Sequence, residues 1–86
     1  MEQLFLIASR NRDDEVNTTL CDNFIDACAT EVAMLIDEPV ELVKPTLKEE
    51  DVRQVLSNLK KAGRDRIGND EKEVYMFLLP KKDNFR

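Results

Sequence analysis

The segment from Thr18 to Asp37, TTLCDNFIDACATEVAMLID, constrains this chain more than any other. On a helical wheel at about 100° per residue, Leu20, Phe24, Leu35, Cys28, Cys21, Val32, Ile25, Ile36 and Ala29 fall across one half of the circle. Glu31 is the only charged residue to enter that arc, near its edge, while Asp22, Asp26 and Asp37 take the opposite side. An apolar arc this wide exceeds what a coiled-coil seam uses and suits a helix laid across a sheet. The spacing therefore predicts a long first helix, starting either at the charged RNRDDE stretch or at Thr18, with Asn11 or Asp13 as its cap in the first case. Glu38-Pro39 ends it, because the residue before a proline is driven out of helical conformation.

The flanking chain supplies the sheet. Gln3 to Ser9 is an apolar run without alternation and reads as a strand buried on both faces. Val40 to Lys44, between two prolines, reads as a brief edge strand. A second helix is expected from Thr46, with Thr46 and Glu49 as a capping box and Glu49, Glu50 and Asp51 in the first turn. Lys60 and Lys61 fill its last turn, and Gly63 is its left-handed cap. Arg64 to Lys72 is a polar, turn-rich connection. Glu73 to Leu79 is a strand with Val74, Met76 and Leu78 on one face and Tyr75, Phe77 and Leu79 on the other. Residues 1–80 are thus expected to form one α/β or α+β domain in β-α-β-α-β order, a three-stranded sheet with two helices, followed by a polar tail at 81–86. Connections of this length allow parallel crossovers. With strand 1 central, right-handed crossovers put one helix on each face. With strands in sequence order, both helices lie on one face, leaving Phe5, Tyr75, Phe77 and Leu79, or the opposite set, uncovered as a partner or self-association surface.

Charge and composition narrow the function by exclusion. The 86 residues carry net charge −5, unevenly spread: residues 1–43 sum to −8 and residues 44–86 to +3. No apolar run is long enough to span a bilayer, and Glu2 stands where a secretory signal wants a cation, so an intracellular protein away from membranes is expected. Cys21 and Cys28, seven apart on the expected helix, would have Cα atoms about 10 Å apart. That is too far for a disulfide, so both are expected to pack as reduced thiols.

There is no histidine, no CxxC and no glycine-rich phosphate loop. The usual general bases, zinc sites and nucleotide cradles are therefore missing, and neither catalysis nor a cofactor is expected. Two surfaces remain. Arg53, Lys60, Lys61, Arg64 and Arg66 form a basic end of the second helix that could contact an anion or nucleic acid, although lysines there also answer the helix dipole. A helix-and-wing DNA reader is disfavoured by a pI of about 4.7 and by the first strand, which would have no role. Phe5, Tyr75, Phe77 and Leu79 form an aromatic sheet face that could close a dimer or stack bases. The resulting expectation is a binding or regulatory protein whose partner is another protein or a second copy of itself. Nucleic acid is the alternative partner.

Overall fold

The computed structural model describes residues 3–80. They form an α+β domain: a four-stranded antiparallel sheet with helices packed on one face. The elements in order are β1 (Gln3–Asn11), β2 (Val16–Cys21), α1 (Phe24–Ile36), α2 (Val40–Val43), a 3-10 turn (Lys44–Thr46), α3 (Glu49–Ala62), β3 (Arg64–Gly68) and β4 (Lys72–Pro80). The sheet order is β2-β1-β4-β3, with every neighbouring pair antiparallel.

The bodies of the two long helices, and the first and last strands of the chain (the two central strands of the sheet), stand where the sequence placed them. The expected β-α-β-α-β order with a three-stranded sheet is replaced by two strands, a helical layer and two more strands, and five local readings change with it. Thr18 to Cys21 belongs to a strand, and α1 begins at Phe24. Its cap is Asn23, whose side chain accepts a hydrogen bond from the Asp26 amide. Asn11 caps a hairpin turn rather than a helix: its Oδ1 accepts from the Asp13 and Glu15 amides. Its carbonyl accepts from the Asp14 amide, and Asp14 adopts a positive φ of 65°. That is the three-residue hairpin built on a type I turn, and it makes the β1–β2 connection antiparallel.

Val40–Val43 is a helical turn instead of an edge strand, started by Pro39, whose fixed φ suits a helix entry. Arg64–Gly68 is a fourth strand, not a loop, pairing Ile67 with Val74 and Asp65 with Met76. The capping box is also replaced. Lys48 occupies the N-cap of α3, and the Thr46 hydroxyl instead donates to the Val43 carbonyl at 2.7 Å. Gly63 does close α3 in the left-handed conformation, φ 75°, its amide returning to the Leu59 carbonyl. The expected polar tail, 81–86, lies outside the described residues.

Strand parity decides which face is core. Phe5, Ile7 and Ser9 of β1 point under the helices with Val74 and Met76 of β4, and all five are buried. Ala27, Cys28 and Leu59 meet them from α1 and α3, with Phe24, Leu35, Val52, Val55 and Ile67 closing the rim. A second cluster joins Ala29 and Ala33 to Val43, tying α2 to the back of α1.

Phe5 is therefore core, packed against Phe24 with ring centroids 5.6 Å apart, and does not share a face with Tyr75 and Phe77. Phe5→Ala should cost about 3–5 kcal/mol of unfolding free energy through lost burial and cavity formation. Phe77→Ala, on the opposite face, should cost clearly less in the same urea titration. Equal losses would contradict the face assignment.

Candidate functional site

On the side of the sheet away from the helices, no described element covers the strands. Pairing register places these side chains there: Leu4, Leu6, Ala8 and Arg10 of β1; Val16, Thr18 and Leu20 of β2; Glu73, Tyr75, Phe77 and Leu79 of β4; and Arg64 and Arg66 of β3. Val16 and Leu20 are each 60% exposed, and Tyr75 and Phe77 are half-buried. The two rings lie nearly parallel, 13° apart in plane, with centroids 5.9 Å apart. Of the expected aromatic face, Tyr75, Phe77 and Leu79 come together, and Leu4, Leu6, Leu20 and Val16 enlarge the set.

This face carries three arginines, Arg10, Arg64 and Arg66, against the single carboxylate of Glu73. Glu73 receives Arg10 at 3.7 Å and Arg66 at 3.4 Å, and the Tyr75 hydroxyl donates to its Oε1 at 2.6 Å. The hydrogen bond from Tyr75, followed by that from Arg66, holds the Glu73 carboxyl below its usual range. Arg64, directly across from Phe77, has no ion pair among the described residues.

The expected basic patch divides. Arg53 is exposed on α3 and pairs with Glu49 at 3.0 Å, one helical turn away. Lys60 is exposed on α3, outside the groove that gathers the others. Lys61, Arg64 and Arg66 line a groove of about 450 Å³ with Asn58 and Tyr75.

A second feature is buried. Glu31 of α1 and Asp65 of β3 are 1% and 4% exposed, and each leaves one carboxylate oxygen without a donor among the described residues. They line a cleft of about 440 Å³ between α1, α3 and β3. The other oxygen of Asp65 accepts from the Asn58 amide, and Asn58 in turn accepts from Gln54 at 3.0 Å. Burial, followed by a hydrogen bond to Asp65 and that residue's charge, pushes Glu31 up to about 9. Glu31 therefore keeps its proton at neutral pH, which makes it the donor of the pair toward Asp65.

Beside the pair, burial and then the two carboxyl groups push the Cys28 thiol up to about 12, so it remains an unreactive thiol. Cys21 and Cys28 are both free, but they do not share a helix as expected: Cys21 sits on β2 and only Cys28 on α1, and the Cys21 thiol lies 3.6 Å from the Thr30 hydroxyl.

The Glu31 environment was readable and missed. Phe24, Ala27, Cys28, Met34 and Leu35 lie seven, four and three residues before it and three and four after it, so Glu31 is the centre of the core-facing stripe. Drawing the arc through Leu20 and Cys21, which belong to β2, displaced it and left Glu31 at the edge.

No family model, curated protein or solved structure matches the chain. Among the described residues, no helix is long and apolar enough to cross a membrane.

The buried pair has a signed pH consequence. Its proton is held in the native state and released in the unfolded chain above about pH 4.5, so the native state binds more protons between there and about 9. Stability should consequently fall as pH rises through that window. Glu31→Gln keeps a donor toward Asp65 and removes the titration. Urea midpoints from pH 5 to 9 should decline for the parent and stay flatter for Glu31→Gln, with the variant the more stable at pH 8. A parallel decline in both proteins would refute the proton held on Glu31.

Proposed function

We propose that this protein is a non-enzymatic binding protein whose working surface is the open sheet face, and that a second copy of the chain occupies that face. The supporting observation is a contiguous apolar field, Leu4, Leu6, Ala8, Val16, Leu20, Tyr75, Phe77 and Leu79, on a sheet whose helices all lie on the other side. Such a field is larger than the scattered apolar residues normal on a monomer.

Two arguments favour a second copy as the occupant. Four strands about 4.8 Å apart and up to nine residues long present a face of roughly 20 Å by 25 Å. Two apposed faces then bury about 1,000 Å², the lower limit for a specific interface. The charged side chains leave the middle of the face apolar. Arg10 and Arg66 share the one carboxylate of Glu73, and Arg64 and Arg66 sit on an edge strand, so the excess positive charge of each face lies toward its rim. Aligned sheet packing, with strands of the two sheets crossing at about 30°, would interleave Tyr75 and Phe77 with their counterparts.

A second reading draws support from the groove at the β3 edge. Lys61, Arg64 and Arg66 converge there on Tyr75, with Phe77 stacked beyond it. Cations beside an aromatic pair on a sheet suit the phosphates and bases of a single-stranded nucleic acid. The pI of about 4.7 and the engagement of Arg66 by Glu73 rank this reading second.

The two readings separate by substitution. Phe77→Glu should abolish self-association in sedimentation equilibrium while the far-ultraviolet circular dichroism stays native. Loss of the fold would assign Phe77 to the core and remove the face from consideration. Arg64→Ala with Arg66→Ala should leave association unchanged. If that double variant instead loses retention of a single-stranded oligonucleotide that the parent binds at low salt, the second reading replaces the first.

A further inference from the structure

We infer that the outer edge of β2 is a docking site for an extended strand of another protein, one with basic residues at both ends of an uncharged centre. This inference does not depend on what occupies the open face.

The two edges of the sheet differ. The β3 edge is five residues long and carries Arg64, Asp65 and Arg66, the charged composition that blunts edge-to-edge pairing. The β2 edge, VNTTLC, has no charge and no proline, and Val16, Thr18 and Thr19 are β-branched. Every residue from Val16 to Leu20 is exposed, and no described strand pairs with its outer side. An uncharged, β-prone, uncovered edge is a template for another strand.

The hairpin shows which backbone groups are offered. The Asn11 amide donates to the Glu15 carbonyl at 3.1 Å, so that opposed pair is hydrogen-bonded. Hydrogen-bonded pairs alternate along an antiparallel ladder, which turns the backbone groups of Asn17, Thr19 and Cys21 toward β1. Those of Val16, Thr18 and Leu20 point outward. The side chains of these same three residues lie on the open face, so an incoming strand would lengthen that face and pack its own apolar residues beside Val16 and Leu20.

Charge selects the occupant. Asp13, Asp14 and Glu15 precede the strand and Asp22 follows it; against them stand Arg12 in the hairpin turn and Arg10 across from Val16, the latter paired with Glu73 at 3.7 Å, and no basic residue follows before Lys44, so both ends stay acidic. An antiparallel pairing of two copies about Thr18 would set the Asp13–Glu15 cluster of each against Asp22 of the other, a repulsion at both ends. A foreign strand with Lys or Arg at its ends meets opposite charge instead.

The probe is a fluorescent synthetic peptide of alternating valine and threonine flanked by lysines, titrated by anisotropy against the whole chain, with a glutamate-flanked peptide as its counterpart. The lysine-flanked peptide should bind roughly tenfold tighter than its counterpart at low salt, a preference that shrinks as salt rises. Glu15→Lys with Asp22→Lys should reverse that order. Methylating alternate backbone nitrogens of the peptide should abolish binding without touching the protein's fold, and Thr18→Pro should do the same from the protein side. Absence of binding at millimolar peptide, equal affinity for both peptides, or indifference to backbone methylation would overturn the inference.

Discussion

The described helices cover the sheet of this protein from one side only, and most of its other properties follow from that constraint. Both hairpins are antiparallel, and the chain crosses from one to the other through a single helical layer, Phe24 to Ala62. No strand-to-strand crossover carries a helix to the second face. The core therefore takes alternate residues of the two central strands, Phe5, Ile7 and Ser9 with Val74 and Met76. The intervening residues of the same strands are nearly as apolar. A chain that needed only solvation on that side would place polar residues there, as half-solvated antiparallel sheets do.

Within the helical layer, one buried polar network sets how the elements sit. Glu31 at the centre of the α1 stripe, Asp65 on β3 and Asn58 on α3 meet where apolar side chains could have met instead. Such a group of polar side chains is stable only when every member is satisfied, which requires the proton on Glu31. The arrangement ties three elements through directional contacts, while the apolar residues around them supply the burial. It adds directional contacts to a helix whose fully buried residues toward the sheet, Ala27 and Cys28, are small.

Much of the architecture was legible in the sequence where local chemistry and periodicity agreed. The body of α3 and its Gly63 cap could be read directly, as could the first and last apolar strands. The errors share a physical origin. Thr18 to Cys21 continues the apolar arc of α1 by coincidence, and only tertiary pairing with β1 makes it a strand. Arg64 to Gly68 looks like a loop because its alternation is charged on one side, with Asp65 as the inward residue. A buried aspartate is recognisable only once the glutamate and asparagine that receive it are known. Val40 to Val43 is apolar enough for a strand, but Pro39 and the packing of Val43 against Ala29 and Ala33 make it helical. Neither expected parallel arrangement occurs, and the aromatic face that one of them left uncovered wrongly included Phe5, because parity across a sheet cannot be fixed until register is.

The central claim is that the uncovered sheet face is where this protein meets a second copy of itself. Its most direct test is an isotope-filtered nuclear Overhauser experiment on a sample mixing labelled and unlabelled chains. Self-association through this face predicts intermolecular contacts from the Tyr75 and Phe77 rings to the methyl groups of Leu4, Leu6 and Leu20. Intermolecular contacts confined to the helical layer, or none at millimolar concentration, would contradict it.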